Sequence, residues 1–356
     1  MKKIFAIMLA LVMLLGIAAC GNSAAPADNS AAGTSAATPA PADTSSAAPA
    51  GSSAPADSSE ASASYRIAII QQLDHSSLDE IRLAIEAELD KLAADKGIEI
   101  SYSEFNGQND QTMLNQIAAQ VVSDGYDAII PIATLAAQSA AVATEDIPII
   151  YAAISDPGEA GLTDIANVTG TSDALNTPFI LDMMLAVNPD IKAVGLLYSN
   201  SEPNSVTPIA EAKAYLDSKG IKYVDKTGNT NDEIITAVNS MLDQVDAVFT
   251  PTDNAVMAAA GVVAEILAEA GIPHYAGADS FVTAGAFATC GVNYTELGTY
   301  TADMALAVIE SGDYPEYHVM DGGIITVNTE TAEAIGADYS VFSDMAGTVV
   351  EVVTEG

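Results

Sequence analysis

The 356-residue chain has no tryptophan. Sugar sites commonly stack their ligand on aromatic faces, so the missing indole counts against a sugar ligand. Positive charge is scarce. Against 48 Asp and Glu there are 11 Lys and Arg, giving a formal net charge of −37. Such a field repels nucleic acid and anionic membrane surfaces, and it disfavours phosphate esters and dicarboxylates. There are 2 Cys and 3 His, all scattered. No metal-spaced cluster, nucleophile–base pair or phosphate-cradling glycine loop emerges, so the expectation is a protein that is not an enzyme and holds no metal or cofactor.

What is present begins with Met1-Lys2-Lys3, a short basic region, and an apolar run over residues 4–17 that is too short to span a bilayer comfortably. It ends Ile17-Ala18-Ala19-Cys20-Gly21. This resembles the bacterial lipobox, whose cysteine is lipidated and becomes the mature N-terminus, with Ile17 in place of the usual Leu. An ordinary secretory signal is the alternative. Residues 1–19 are therefore read as a lipoprotein signal peptide. Residues 20–64 are read as lipidated Cys20 followed by a disordered Ala/Ser/Pro tether with nothing to build a core. Cys290 is then the one unmodified cysteine, no intramolecular disulfide can form, and the fold rests on its apolar core.

The body is organised around a stretch that occurs twice, Asp127-Ala128-Ile129-Ile130-Pro131-Ile132-Ala133-Thr134 and Asp246-Ala247-Val248-Phe249-Thr250-Pro251-Thr252-Asp253-Asn254. Each reads as a buried parallel strand running through a tight turn into a helix. Strands at 65–70, 98–105, 128–132 and 147–152 alternate with helices. The pattern restarts at 193–198, 221–225, 247–250 and 272–276. Repeated β-α units of this kind predict an α/β fold of two doubly wound parallel-sheet lobes. Residues 65–173 plus 295–340 are assigned to lobe one, 174–294 to lobe two and 341–356 to a C-terminal tail. Several crossings between lobes make a hinge, and ligands are expected at the carboxyl ends of the strands.

Particular segments narrow this further. Gln71-Gln72-Leu73-Asp74-His75, Ala133-Thr134-Leu135-Ala136-Ala137-Gln138-Ser139, Ser155-Asp156-Pro157, Gly170-Thr171-Ser172-Asp173, Asn200-Ser201-Glu202-Pro203-Asn204-Ser205 and Thr252-Asp253-Asn254 lie in this order. Together they resemble the ABC-transporter substrate-binding proteins of the tryptophan/aromatic amino-acid branch, with the type I periplasmic-binding-protein fold. The likeness covers about residues 65–340. It implies capture of an amino acid outside the membrane by hinge closure, and delivery to a permease and its ATPase by a monomer anchored to the outer face of the cell membrane. Another small solute (a branched amino acid, a nucleoside or a sugar) and a ligand-presenting sensor remain as alternatives.

An amino acid brings a carboxylate, an ammonium and a side chain. The carboxylate wants uncharged donors at a helix N-terminus. Thr134 with the N–H groups of Leu135 and Ala136 fits in lobe one, and Ser205 in lobe two, although both Thr134 and Ser205 also read as plain helix caps. The ammonium wants a carboxylate. Asp253 is the first choice and Asp279 the second, with a capping role the alternative for Asp253. Asp156 also reads as a turn residue. Asn200, Glu202 and Asn204 occupy the loop after the restarted first strand, and Gln71 and His75 the matching loop of lobe one. Tyr198 and Tyr151 end strands and suit either an aromatic wall or a core. Ser155, Asp173, Thr252 and Asn254 complete the candidate set from the matching segments.

Overall fold

The computed structural model describes residues 63–355; the expected signal peptide, Cys20 and nearly all of the tether lie outside the described residues. Both lobes fall within one compact unit, Glu60–Gly356.

Lobe one is built from β1 (Ser64–Gln71), α1 (Ser76–Lys96), β2 (Glu99–Asn106), α2 (Gln111–Asp124), β3 (Ala128–Ile132), α3 (Thr134–Ala143), β4 (Ile149–Tyr151) and β5 (Val168–Ser172). The chain then crosses into lobe two through α4 (Thr177–Val187), β6 (Ala193–Tyr198), α5 (Val206–Lys219), β7 (Lys222–Thr227), α6 (Asn231–Asn239), β8 (Ala247–Thr250), α7 (Asn254–Met257), α8 (Ala260–Glu269), β9 (His274–Ala276), α9 (Asp279–Thr283) and β10 (Ala288–Gly291). It returns to lobe one for α10 (Tyr294–Ser311) and β11 (His318–Val319). It crosses a third time for β12 (Ile324–Asn328), α11 (Thr329–Ile335), α12 (Phe342–Met345) and β13 (Thr348–Val352).

The sheet orders are β11-β5-β4-β3-β1-β2 and β13-β12-β10-β9-β8-β6-β7. The inner strands repeat the same winding, and the register repeats with them: Ile67 pairs with Ala128 in one lobe and Val194 with Ala247 in the other. These central strands are buried on both faces, which is why they read as unbroken apolar runs. Helix α1 packs its Ile81, Ile85 and Leu89 stripe inward and ends at Gly97, whose φ of 65° suits a residue without Cβ.

The assignment of 295–340 to lobe one holds only for its first part. Strand β12 lies antiparallel to β10, and Ile325 and Val327 enter the lobe-two core. Residues 341–356 hold more than a tail, because β13 pairs in parallel with β12 and closes that edge of the lobe-two sheet. The single helix expected after β8 is two helices, broken at Ala259, whose φ of −113° and ψ of 8° leave the helical region. Helix α3 begins at Thr134 itself, with Ala133 at the N-cap and no side-chain cap bond, so Thr134 is a first-turn residue rather than the cap.

Candidate functional site

In both lobes the sheet order turns back between the first and third strands, so their carboxyl ends open a crevice. The loops after β1, β3 and β4 face those after β6, β8 and β9. Between them lies a narrow cleft with a cavity of about 30 Å³, lined from lobe one by His75, Ser77, Leu78, Ala133, Thr134, Ala153 and Ser155, and from lobe two by Asn204, Thr252, Asp253, Asn254, Met257, Ala278, Ser280 and Phe281. Asp173 and Tyr294 close it at the crossings. That is far below the roughly 300–1,000 Å³ typical of small-molecule sites, so the lobes have to part before a ligand can enter.

The lobes touch through polar side chains. Ser155 and Thr252 hydroxyls meet at 3.0 Å, Thr207 Oγ1 donates to Asp156 Oδ2 at 2.6 Å, and Ser77 Oγ reaches Asp279 Oδ1 at 3.5 Å. A longer relay begins at Gln72. Its Oε1 accepts from Leu135 N at 3.0 Å, and its Nε2 donates to Asn109 Oδ1 at 2.8 Å and to Glu202 Oε1 at 3.0 Å in lobe two. Glu202 Oε2 accepts from Asn254 Nδ2 at 2.8 Å. Asn254 Oδ1 is then the acceptor facing His75 Nε2 at 3.1 Å. Burial, reinforced by the neighbouring Asp253 charge, raises the Glu202 carboxyl above its ordinary range.

The carboxylates differ in how fully they are used. Asp253 Oδ2 accepts from Ser199 N at 2.7 Å and Ser205 Oγ at 2.6 Å, and Oδ1 accepts from Val256 N at 2.9 Å. It caps α7 and ties the loop after β6 to it, so its lone pairs are largely engaged inside lobe two. Asp173 has lighter duty. Its Oδ1 accepts from Ser155 Oγ at 2.9 Å and its Oδ2 from Tyr294 OH at 3.3 Å. Burial holds its carboxyl above the usual range, so it is a buried acid that gains from a cation. Among the described residues, no lysine or arginine lines the cleft.

Backbone strain marks the lobe-one wall. Ala133, with φ 74° and ψ 165°, and Ala153, with φ 57°, both have positive φ at the ends of β3 and β4. Such conformations cost about 1–3 kcal/mol each for a residue with a Cβ and gather at ligand sites.

Of the residues singled out from sequence, His75, Thr134, Ser155, Asp173, Asn204, Thr252, Asp253 and Asn254 converge on this cleft. Glu202 stands behind Asn254 in the relay, and Asp156 and Asp279 make cross-lobe contacts at its margin. The others are engaged elsewhere. Gln71 Nε2 donates to Leu73 O at 2.7 Å and Asp79 Oδ1 at 2.8 Å, which turns it toward α1, while its neighbour Gln72 crosses to lobe two. Strand alternation explains the exchange. The Leu135 N–H, expected to be free, is taken by Gln72. Ala136 packs in the lobe-one core. Tyr198 packs against the lobe-two core, Tyr151 lies within the lobe-one core, and Asn200 bonds outward to Thr227 at 3.2 Å. Ser205 spends its hydroxyl on Asp253. The sequence reading passed over Gln72, Leu78, Met257, Ser280, Phe281 and Tyr294.

Asp279 offers a stability test. Burial, then the Glu80 charge, pushes its carboxyl up to about 6. A raised folded-state value means that stability is full below about pH 3.8 and falls as pH rises through 6. At pH 7 the buried charge costs up to about 3 kcal/mol at 1.36 kcal/mol per unit. Asp279→Asn should therefore raise the melting temperature at pH 7 and leave it unchanged near pH 3.5; equal effects at both pH values would contradict the buried-charge account.

Comparison with known proteins follows the same outline. The family model of ABC transporter substrate-binding proteins matches residues 66–340. The tyrosine-binding protein of Clostridioides difficile (strain R20291) is 34% identical over 277 residues, covering 76% of this chain and 80% of that protein. An ABC domain from Streptococcus pneumonia in complex with L-Trp superposes with a TM-score of 0.75 at 30% identity, covering 81% of this chain and 100% of that one. The ligand-free, open structure of a substrate-binding protein with adhesive properties from Clostridium difficile gives a TM-score of 0.63 at 32% identity, covering 82% and 100%. The better match to the L-Trp complex, at nearly equal identity, accords with lobes that already touch.

Proposed function

Because the chain belongs to the family of ABC transporter substrate-binding proteins, we propose that it captures an aromatic amino acid in the cleft between its lobes and presents it to a membrane permease. The observation that carries this reading is the pairing of one underused buried carboxylate with an apolar wall and, among the described residues, no lysine or arginine. Asp173 takes the ammonium. The first turn of α3, where Thr134 lines the cleft, offers the carboxylate a hydroxyl and the positive end of the helix dipole. Leu78, Met257, Ala278 and Phe281 form the surface on which a side-chain ring lies. The relatives point the same way, since one is a tyrosine-binding protein and another is in complex with L-Trp.

Each lobe supplies part of this site, so ligand affinity is differential affinity for the closed arrangement, which is what drives closure. Such family members work outside the cytoplasm. Cys20 is the proposed point of lipid attachment, with the intervening residues as a leash for a monomeric body. Recovery of the protein from the medium rather than the membrane fraction would remove the anchor from this proposal.

The absent tryptophan makes the binding test direct. Added L-tryptophan is the sole indole emitter, and its emission should shift in a saturable manner on titration with refolded, ligand-free protein. L-tyrosine and L-phenylalanine should reverse the shift, and L-leucine should be weak. No shift and no competition by any of them would move the ligand to another solute class.

A further inference from the structure

We propose that His75 reads the side chain of the ligand, so that the cleft selects an aromatic amino acid whose ring carries an O–H or N–H over one that carries neither. This rests on the cleft being an amino-acid site and goes on to name the atom that discriminates.

Two buried polar atoms in the cleft wall have no hydrogen-bond partner among the described residues, His75 Nδ1 and Asn204 Oδ1. Their chemistry follows from their neighbours. Asn254 Nδ2 is bound to Glu202, so Asn254 presents its carbonyl oxygen to His75 Nε2. That nitrogen must carry the imidazole proton, and burial lowers the tendency of the ring to take a second one. Nδ1 is then a bare lone pair. For Asn204, the atom 2.5 Å from the Thr252 carbonyl has to be the amide nitrogen, which leaves Oδ1 as an acceptor. Two acceptors shielded from water each call for a donor, and the ligand is what brings one.

The two occupy different parts of the wall. Asn204 is tied through Thr252 and Ser155 to Asp173. It therefore belongs with the carboxylate, where an ammonium has N–H groups to spare. His75 belongs to the apolar part. It sits three residues before Leu78, and its partner Asn254 is three residues before Met257, one helical turn away. A ring lying on Leu78, Met257 and Phe281 comes under Nδ1. A phenol O–H or an indole N–H pairs with it, whereas a bare phenyl ring or an aliphatic chain leaves it buried and unpaired. The cost of one unpaired buried acceptor corresponds to roughly tenfold to hundredfold in affinity.

The experiment is calorimetric titration of the purified full-length protein and of His75→Leu and His75→Gln with L-tyrosine, L-tryptophan, L-phenylalanine and L-leucine. Removing His75 also frees the Asn254 oxygen, which weakens every ligand alike. The reading is therefore the ratio of tyrosine to phenylalanine affinity, not either value alone. The parent protein should prefer tyrosine and tryptophan over phenylalanine by roughly tenfold or more. His75→Leu should bring that ratio close to one, and His75→Gln, which keeps an acceptor, should restore part of it. Equal affinity for phenylalanine and tyrosine in the parent protein would overturn this inference while leaving the amino-acid site intact. So would a ratio that survives in His75→Leu, or in His75→Ala should the leucine variant not fold. Absence of binding by all four would overturn the amino-acid site itself.

Discussion

Asp173→Asn should reduce amino-acid affinity by roughly thirtyfold to a thousandfold, the range that follows when one partner of a buried charge pair is lost. The folded protein should not suffer. Burial already disfavours the Asp173 charge, so replacing it with a neutral amide removes a cost. One oxygen remains to accept from Ser155 or Tyr294. The melting temperature without ligand should therefore hold or rise while the stabilisation given by saturating ligand disappears. Asp253→Ala is the control with the opposite signature. It strands the donors Ser199 N, Ser205 Oγ and Val256 N, at about 1–3 kcal/mol for each donor that water does not reach. Here stability should fall first, and any loss of affinity should follow from it. A comparison of thermal shift with calorimetric affinity separates the two. If Asp253→Ala lost affinity with stability intact and Asp173→Asn did not, the ammonium would belong to Asp253.

Gly298→Ala should lower stability by about 3 kcal/mol, within the range of overpacked cores. Gly298 lies where α10 crosses α1, and a Cβ there would come within 2.5 Å of the Ile81 carbonyl oxygen and 2.7 Å of Ala84 Cβ. Neither can swing aside, because one is backbone and the other is the shortest of side chains. The helices must part. Their N-terminal ends carry the cleft residues Ser77 and Leu78 on α1, with His75 at its N-cap, and Tyr294 on α10. The melting temperature should fall by about 5–10 °C, and affinity should fall with it. A variant that melts within a degree of the parent would show that the helices are not in such close contact.

The reach of the sequence can be followed residue by residue. The duplicated Asp-Ala-apolar stretches located β3 and β8 because buried parallel strands leave no polar alternation to confuse the pattern. Their ends gave Thr134, Thr252 and Asn254 directly. Where two adjacent residues were both polar, pattern alone could not choose: Gln71 and Gln72 differ by one step of strand alternation, and only tertiary packing shows that Gln72 crosses to lobe two. Asp253 illustrates another limit, since a strand-end carboxylate looks alike whether it serves a ligand or the N–H groups of its own helix. Phe281 and Tyr294 were missed because each sits just past a weak element, the three-residue β9 or the crossing after β10, where no periodicity builds up. The return of β12 to lobe two was hidden for a related reason. An antiparallel strand added to a parallel sheet has no helix before it to announce which sheet it will join.

The order in which strands enter the sheets has a consequence for how the molecule is made. Lobe one takes its edge strand β11 from residues 318–319, and lobe two takes β12 and β13 from 324–328 and 348–352. Neither sheet is complete before residues 318–319 have emerged from the ribosome, and the lobe-two sheet still waits for 348–352. A nascent chain short of that point carries two unfinished sheets with exposed edges, and the pairings still to be made join residues more than a hundred positions apart in lobe one. Loop closure over such distances is slow. Slow folding keeps the polypeptide unfolded during synthesis, which is the state in which a secreted chain can still be threaded across a membrane.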